Sequence, residues 1–463
     1  MNQLDTIAAI STPYGKGGIA VLRVSGDRAA EIADAVFEAK SGKRFENIEH
    51  SKAVYGLIYE TRDGEKRQID DGIAVFFRAP NSFTGEDTVE ISCHGGILVT
   101  QKVLTALLSA GARMALPGEF TRRAFINGKM TLTGAEALGD LLDARTDEQI
   151  SLARSGMGGK LSRSVAEIYD SLCAVLAAIF AKIDYPDEDL AEISRDEMLI
   201  NAKENLKKLE ALEKTYSTGK AISEGIPTVI LGKTNAGKSS LYNRILGRDA
   251  AIVTDIEGTT RDVLTEEAKI GRVILRLSDT AGLRDSSDAV ESIGIERARR
   301  EAEQAELVLA VFDGSRQPDG NDAEILEYIK SLSGVKLAIF NKSDVGVLPC
   351  YDEIAKRFEF SLSLSASSGE GFDKLEQAVE QIYIDKELNT ATDAIIANAR
   401  QHAAILAAIS SLKGTIKAIE LQLPLEICCA ETENALSSLG EVDGRTVSED
   451  IVAKIFSSFC VGK

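Results

Sequence analysis

The chain has 463 residues, 44% of them hydrophobic, and a formal net charge of -19. That length suggests about three domains, and the acidity argues against a general nucleic-acid coat, because neutralising phosphates takes clustered Lys and Arg. The apolar run at residues 174 to 181 is too short to span a bilayer, and neither a signal nor a transit peptide is visible. A cytoplasmic protein with no membrane and no DNA partner is expected.

Residues 1–119 read as an α+β domain, with strands near 7–10, 19–24, 53–59, 72–77 and 88–92 and helices near 28–37 and 98–108. From about 120 the texture becomes helical, with Leu206, Leu209, Leu212 and Tyr216 on one stripe. Ile405, Ile409, Leu412, Ile416 and Ile419 repeat the pattern near the C-terminus. Between the two helical blocks lies an α/β segment. The expected organisation is therefore an N-terminal α+β domain (1–119), an all-α helical domain in two parts (120–222 and 379–463) and an inserted Ras-like α/β domain (223–378). The basic clusters Arg122, Arg123 and Lys129, or Lys160 and Arg163, could touch a folded RNA but read as solvated helix faces. The six cysteines (Cys93, Cys173, Cys350, Cys428, Cys429, Cys460) have no CxxC spacing, and with three histidines no zinc site is expected. The thiols are read as reduced and mostly buried. Cys93-His94 lacks an evident orienting acid, so a nucleophile there is not expected.

The inserted segment carries four short motifs in order. GKTNAGKS, residues 232 to 239, follows the apolar run TVIL and opens a helix-like segment. In that context backbone N–H groups at the helix start cradle phosphates, while Lys238 and Ser239 handle phosphate charge and Mg²⁺. NKSD, residues 341 to 344, ends a second apolar strand, and the Asp344 carboxylate can accept two hydrogen bonds from guanine's ring N–H and exocyclic amine. Adenine lacks that donor pair. Between them stand Thr259-Thr260 and Asp279-Thr280-Ala281-Gly282. Each motif is weak alone; in order and at strand ends they make a guanine-nucleotide site.

Water attack on the γ-phosphate needs Mg²⁺, a positive group against the developing charge and something to orient the water. Ser239 and Thr260 suit Mg²⁺, with Asp279 outside its first shell. Leu283 follows the DTAG glycine and cannot polarise water. A carboxylate of the acidic stretch 284–291, ending at Glu291, could orient the water. The Asn235 side-chain oxygen, with backbone carbonyls of the first switch, could replace the hydration shell of a monovalent cation serving where other enzymes use arginine. A loop-stabilising amide and a solvated acid are the plainer readings of those two residues.

The chain resembles the MnmE (TrmE) family of tRNA wobble-uridine GTPases along its whole length: GKTNAGKSSL, TDIEGTTRD, DTAGLR and NKSD in the middle, GGIAVLRVSG, PNSFTGEDTVE, CHGG and LPGEFTRRAFINGKM before it, and IFSSFCVGK at the end. Val461 stands where isoleucine is common. The resemblance implies a homodimer joined through a tetrahydrofolate-binding N-terminal domain. It also implies GTP or GDP contacts along Asn235, Ala236, Gly237, Lys238, Ser239 and Ser240. The first switch would add Thr254, Asp255, Ile256, Glu257, Gly258, Thr259 and Thr260, then Asp279, Thr280, Ala281 and Gly282, and the base side Asn341, Lys342, Asp344, Ser365, Ala366 and Ser367. Asn235, Thr254, Ile256 and Thr259 would line a K⁺ site, Glu291 would orient the water, with Thr260 and Lys238 also catalytic, and Arg23, Glu90, Lys129 and Lys463 would contact a 5-formyl- or 5,10-methylene-tetrahydrofolate. Cys460 is a candidate reactive thiol, although a packed thiol is the plainer reading. The implied partners are tRNA and MnmG (GidA) in a heterotetramer; FAD would belong to that partner, since no GxGxxG strand-helix fingerprint occurs here. Rival readings are a ribosome-assembly GTPase of the Era-like class, whose RNA-binding appendage should be basic, and a one-carbon transferase with a regulatory GTPase.

Overall fold

The computed structural model describes residues 5–62, 64–184, 194–248, 265–278 and 300–462, with only the backbone of 181–184, 248 and 265. It divides into two compact units: residues up to 139, with 157–169 and 436–463, and residues 140–156 with 170–435.

The first unit is built on a seven-stranded sheet, here numbered β1 (Ile7–Ile10), β2 (Ile19–Ser25), β3 (Phe37–Ala39), β4 (Ala53–Arg62), β5 (Glu65–Phe77), β6 (Thr88–His94) and β7 (Arg113–Met114). Its order is β3-β4-β5-β6-β2-β1-β7, antiparallel except for the β1–β7 edge. Strand alternation puts Ala20, Leu22, Val24, Val89, Ile91, Cys93, Ala74 and Phe76 on one face, buried in one core with residues of the helices Ala29–Val36 and Ile97–Ser109. The opposite face carries Ile19, Arg23, Glu90 and His94. A smaller core joins Leu132, Ala135, Val452 and Phe456, so the C-terminal helix Glu449–Ser457 packs beside the helices Glu119–Ile126 and Leu132–Asp143.

The second unit holds a six-stranded sheet: β8 (Ile226–Gly232), β9 (Thr265–Ile270), β10 (Val273–Ser278), β11 (Leu307–Asp313), β12 (Val335–Asn341) and β13 (Phe360–Ser363), in the order β13-β12-β11-β8-β10-β9. Only β9 runs antiparallel to its neighbour. Every residue of β11 is buried, the continuous apolar pattern that a parallel strand covered on both faces requires. Strand order reverses at β8, whose neighbours are β11 and β10, and ligands of open α/β sheets bind in the crevice at such a switch point.

Helices before and after this sheet in the sequence pack together. Arg195–Lys214 and Ala399–Glu420 are joined by ion pairs Lys203–Glu420 and Lys413–Glu210, both 2.8 Å. Ile405, Ile409, Leu412, Ile416 and Ile419 are all buried, as are Leu209 and Leu212. Their stripe also holds Asn205, 1% exposed, whose amide donates to Ser171 Oγ at 3.0 Å and Asn201 Oδ1 at 2.9 Å. The chain thus leaves a helical bundle at Ser223, builds the sheet, and returns at Ala399: the fold is a multidomain one with an α+β N-terminal domain, an all-α helical domain and an inserted P-loop α/β domain. Among the described residues no helix is long and apolar enough to cross a membrane.

Gly118 opens the helix Glu119–Ile126 at φ +64, and a Cβ there would lie 2.3 Å from the Phe456 carbonyl oxygen. Gly118→Ala is expected to destabilise the protein by roughly 2–3 kcal/mol, read as a lowered denaturation midpoint; an unchanged midpoint would show that the C-terminal helix is not seated there.

Candidate functional site

The phosphate loop leaves β8 at Gly232 and enters the helix Lys238–Arg248. Asn235 takes the left-handed region at φ +63, and Ala236 is fully buried. Gly237, at φ +95, admits no side chain, since a Cβ would come within 2.0 Å of Asn341 Nδ2. That close approach is functional geometry: the Asn341 amide donates to Ala236 O at 2.9 Å, and its oxygen accepts from the backbone N–H of Lys342 (2.8 Å) and of Ala366 (3.0 Å). One side chain, 2% exposed, therefore ties the phosphate loop, the base motif and the Ser365–Ser367 loop together.

Around this knot, Ser343 N–H donates to Leu364 O at 3.1 Å and Ser365 Oγ lies 2.9 Å from Ser367 Oγ. The exposed Asp344 follows Lys342, whose φ is +66. Lys238 Nζ donates to Lys233 O at 2.9 Å, across the mouth of the phosphate loop. Ser239 and Ser240 follow in the first turn of the helix. Thr254, Asp255, Ile256, Glu257, Gly258, Thr259, Thr260, Asp279, Thr280, Ala281, Gly282 and Glu291 lie outside the described residues. The structure therefore brings together the phosphate-loop and base-side residues of the expected set and gives no position for the switch residues.

In the first unit, Arg23 of β2 and Glu90 of β6 are register partners, and Arg23 donates twice to Glu90 Oε1, at 2.9 and 2.7 Å. The Arg23 guanidinium lies over the Phe83 and Phe120 rings at 5.1 and 5.5 Å. Lys129, exposed, donates from Nζ to Pro80 O at 2.8 Å. The tail runs beside β1, the neighbour of β2: Val461 bridges Pro117, and Gly462 lies so close to β1 that a Cβ would meet Ile10 O at 2.1 Å. Lys463 lies outside the described residues.

Three sequence readings need correction. Arg123 is not on a solvated face: it is 8% exposed and donates to both Glu86 oxygens at 3.1 Å and to Glu119 at 3.1 Å. Those partners are 37 and 4 residues away, and only the first needed the tertiary fold to be seen. Cys460 is exposed, and so is Cys350, leaving Cys93, Cys428 and Cys429 buried and Cys173 half-buried. The histidine after Cys93 does have an orienting acid, Asp70 Oδ1 at 2.8 Å from His94 Nδ1, and hydrogen bonding to that carboxylate raises the imidazole above its ordinary value. The two residues nevertheless face opposite sides of the sheet, and burial pushes the Cys93 thiol up to about 11, so it is no nucleophile.

A buried parallel sheet ending in a phosphate loop, with an NKSD motif tied to that loop, defines a P-loop GTPase. The model described as "GTP-binding protein TrmE N-terminus" matches residues 6–129, and the one described as "MnmE helical domain" matches residues 132–460. Among curated relatives, "tRNA modification GTPase MnmE" of Alkaliphilus metalliredigens is 39% identical over 463 residues, covering 99% of each chain. The proteins of the same name from Clostridioides difficile and Lactococcus lactis are 38% and 39% identical, covering 99% or more of this chain and 99% of theirs. The chain belongs to the MnmE (TrmE) family.

Asp344→Asn is expected to lose roughly two orders of magnitude or more in affinity for GDP, because a donor would then face guanine's donors, and to gain affinity for xanthosine diphosphate. Competition titration with both nucleotides measures it; unaltered base selectivity would refute the assignment of Asp344 to guanine.

Proposed function

We propose that this protein is a K⁺-dependent GTP hydrolase of the cytoplasm. Working with a flavin protein of the MnmG (GidA) type, it would install an aminomethyl or carboxymethylaminomethyl group at carbon 5 of the wobble uridine of certain tRNAs. The observation that carries the reading is the Asn341 knot between phosphate loop and base motif, in a chain related from end to end to proteins named as tRNA-modification GTPases.

Mg²⁺ suits the hydroxyls of Ser239 and Thr260, and K⁺ suits the Asn235 side chain with Thr254, Ile256 and Thr259. Asn235 offers an amide oxygen from a residue whose left-handed backbone sets it at the bend of the phosphate loop. When bound, these cations would supply positive charge against the phosphate oxygens. Lys238 would neutralise β- and γ-phosphate charge, giving up its bond to Lys233 O to do so. Glu291 would orient the attacking water in place of the side chain that Leu283 cannot provide.

In the N-terminal domain the Arg23–Glu90 pair, walled by Phe83 and Phe120, offers charge and ring surface to a tetrahydrofolate, 5-formyl or 5,10-methylene. Lys129 and Lys463 would complete its contacts. The chain would act as a homodimer within a heterotetramer, FAD residing on the partner, and two nucleotide domains meeting face to face would complete each hydrolytic site.

Mass spectrometry of tRNA nucleosides from a deletion strain is expected to show unmodified carbon 5 at wobble uridines, restored by the wild-type chain. Unchanged wobble uridines would remove the reading and favour a ribosome-assembly role. GTP hydrolysis in K⁺ should exceed that in Na⁺ by roughly tenfold or more, the scale of removing one transition-state charge contact; equal rates would dismiss the cation site.

A further inference from the structure

Two aspartates outside all four nucleotide motifs hold two of the motif lysines. Asp313 closes β11 directly opposite Asn341 of β12, with its side chain 7% exposed. Its Oδ2 accepts from Lys342 Nζ at 2.7 Å and its Oδ1 from Ser315 Oγ at 2.6 Å, while Tyr351 Oη donates to its carbonyl at 2.7 Å. Burial alone would raise the Asp313 carboxyl, but the hydrogen bonds from Lys342 and Ser315 outweigh it and hold it below its ordinary value. Six residues on, Asp319 caps the helix Gly320–Ser331, accepting from Asn321 N–H at 3.0 Å, and pairs with Lys233 of the phosphate loop. Lys233 in turn offers its carbonyl to Lys238 Nζ.

We propose that the segment from Asp313 to Asp319 is a positioning element for the nucleotide site, Asp313 setting Lys342 beside the base slot and Asp319 setting Lys233 beneath Lys238. The proposal rests on the guanine-nucleotide reading of that site. A lysine ammonium on a four-carbon stem loses rotamer freedom when a ligand fixes it, and a buried partner that fixes it beforehand removes that cost from binding. The two arms are unequal. Asp319 is half exposed, and pairs of that kind contribute little, whereas the Asp313 carboxylate is almost wholly buried and pairs at Oδ2 with Lys342 at 2.7 Å, with Arg316 Nε farther off at 3.4 Å.

The test uses the full-length chain, a fluorescent GDP analogue, and the variants Asp313→Asn, Lys342→Met, their double and Asp319→Asn. Asp313→Asn is expected to weaken binding roughly tenfold, chiefly through faster dissociation, and to weaken the Lys342→Met protein no further. Asp319→Asn, which keeps a capping side chain, should change affinity less than about threefold. Asp313→Asn binding like the wild type, or a loss that multiplies in full with that of Lys342→Met, would overturn the proposal. If melting curves show Asp313→Asn to be misfolded, Ser315→Ala carries the test: removal of the hydroxyl bond to Asp313 should weaken GDP about threefold, and unchanged affinity would overturn it. A wild-type chain that bound no GDP would instead sink the guanine reading itself.

Discussion

The nucleotide domain depends on the Asn341 side chain. A primary amide has two donors and an oxygen with two acceptor positions, and here both acceptor positions and one donor are spent on backbone groups of three different loops. Buried as it is, each bond left unmade would cost about 1–3 kcal/mol. The arrangement also dictates Gly237, the only residue type whose missing Cβ lets the amide reach Ala236. The phosphate loop and the NKSD turn are consequently tied by one buried side chain, and displacing either strains its bonds to the other.

The sequence could reveal this site because parallel strands buried on both faces are written as apolar runs, and the motifs sit where those runs stop. β8 extends no more than two residues beyond the TVIL run, and β12 ends at Asn341, where the NKSD motif begins. What it concealed follows from tertiary context. β5 starts at Glu65, seven residues before the apolar part, because EKRQIDD is held by backbone pairing with β4 while its side chains remain largely solvated. β3 and β7 are too short to show a period. Arg123 and Asn205 are polar groups inside cores, and nothing in local composition distinguishes them from surface residues until Glu86 and Ser171 are brought alongside. Asp313 and Asp319 escaped for the same reason: each supports a motif lysine from a segment with no motif of its own.

The helical segments within the second unit grip the nucleotide sheet at a telling place. β9 and β10 form a hairpin whose first strand follows the Thr254–Thr260 segment in sequence and whose second precedes Asp279. Arg145 pairs with Glu267 on β9, and Glu148 lies 4.0 Å from Arg272 at the hairpin turn. On the next strand in sequence, Lys220 pairs with Glu306 at the entry to β11. Partly exposed pairs of this kind contribute about 1 kcal/mol or less each, so they fix register more than they bind. The grip comes from Leu152, Ala221 and Ile222, which belong to the same buried cluster as Ile226, Ala268 and Leu275; a fully buried leucine side chain alone is worth roughly 1.5–3 kcal/mol. Tilting the hairpin against the helices would open that cluster, and close-packed cores resist small continuous deformation. Any displacement of the hairpin must therefore carry with it the helices packed against it, because Leu152, Ala221 and Ile222 share its buried cluster.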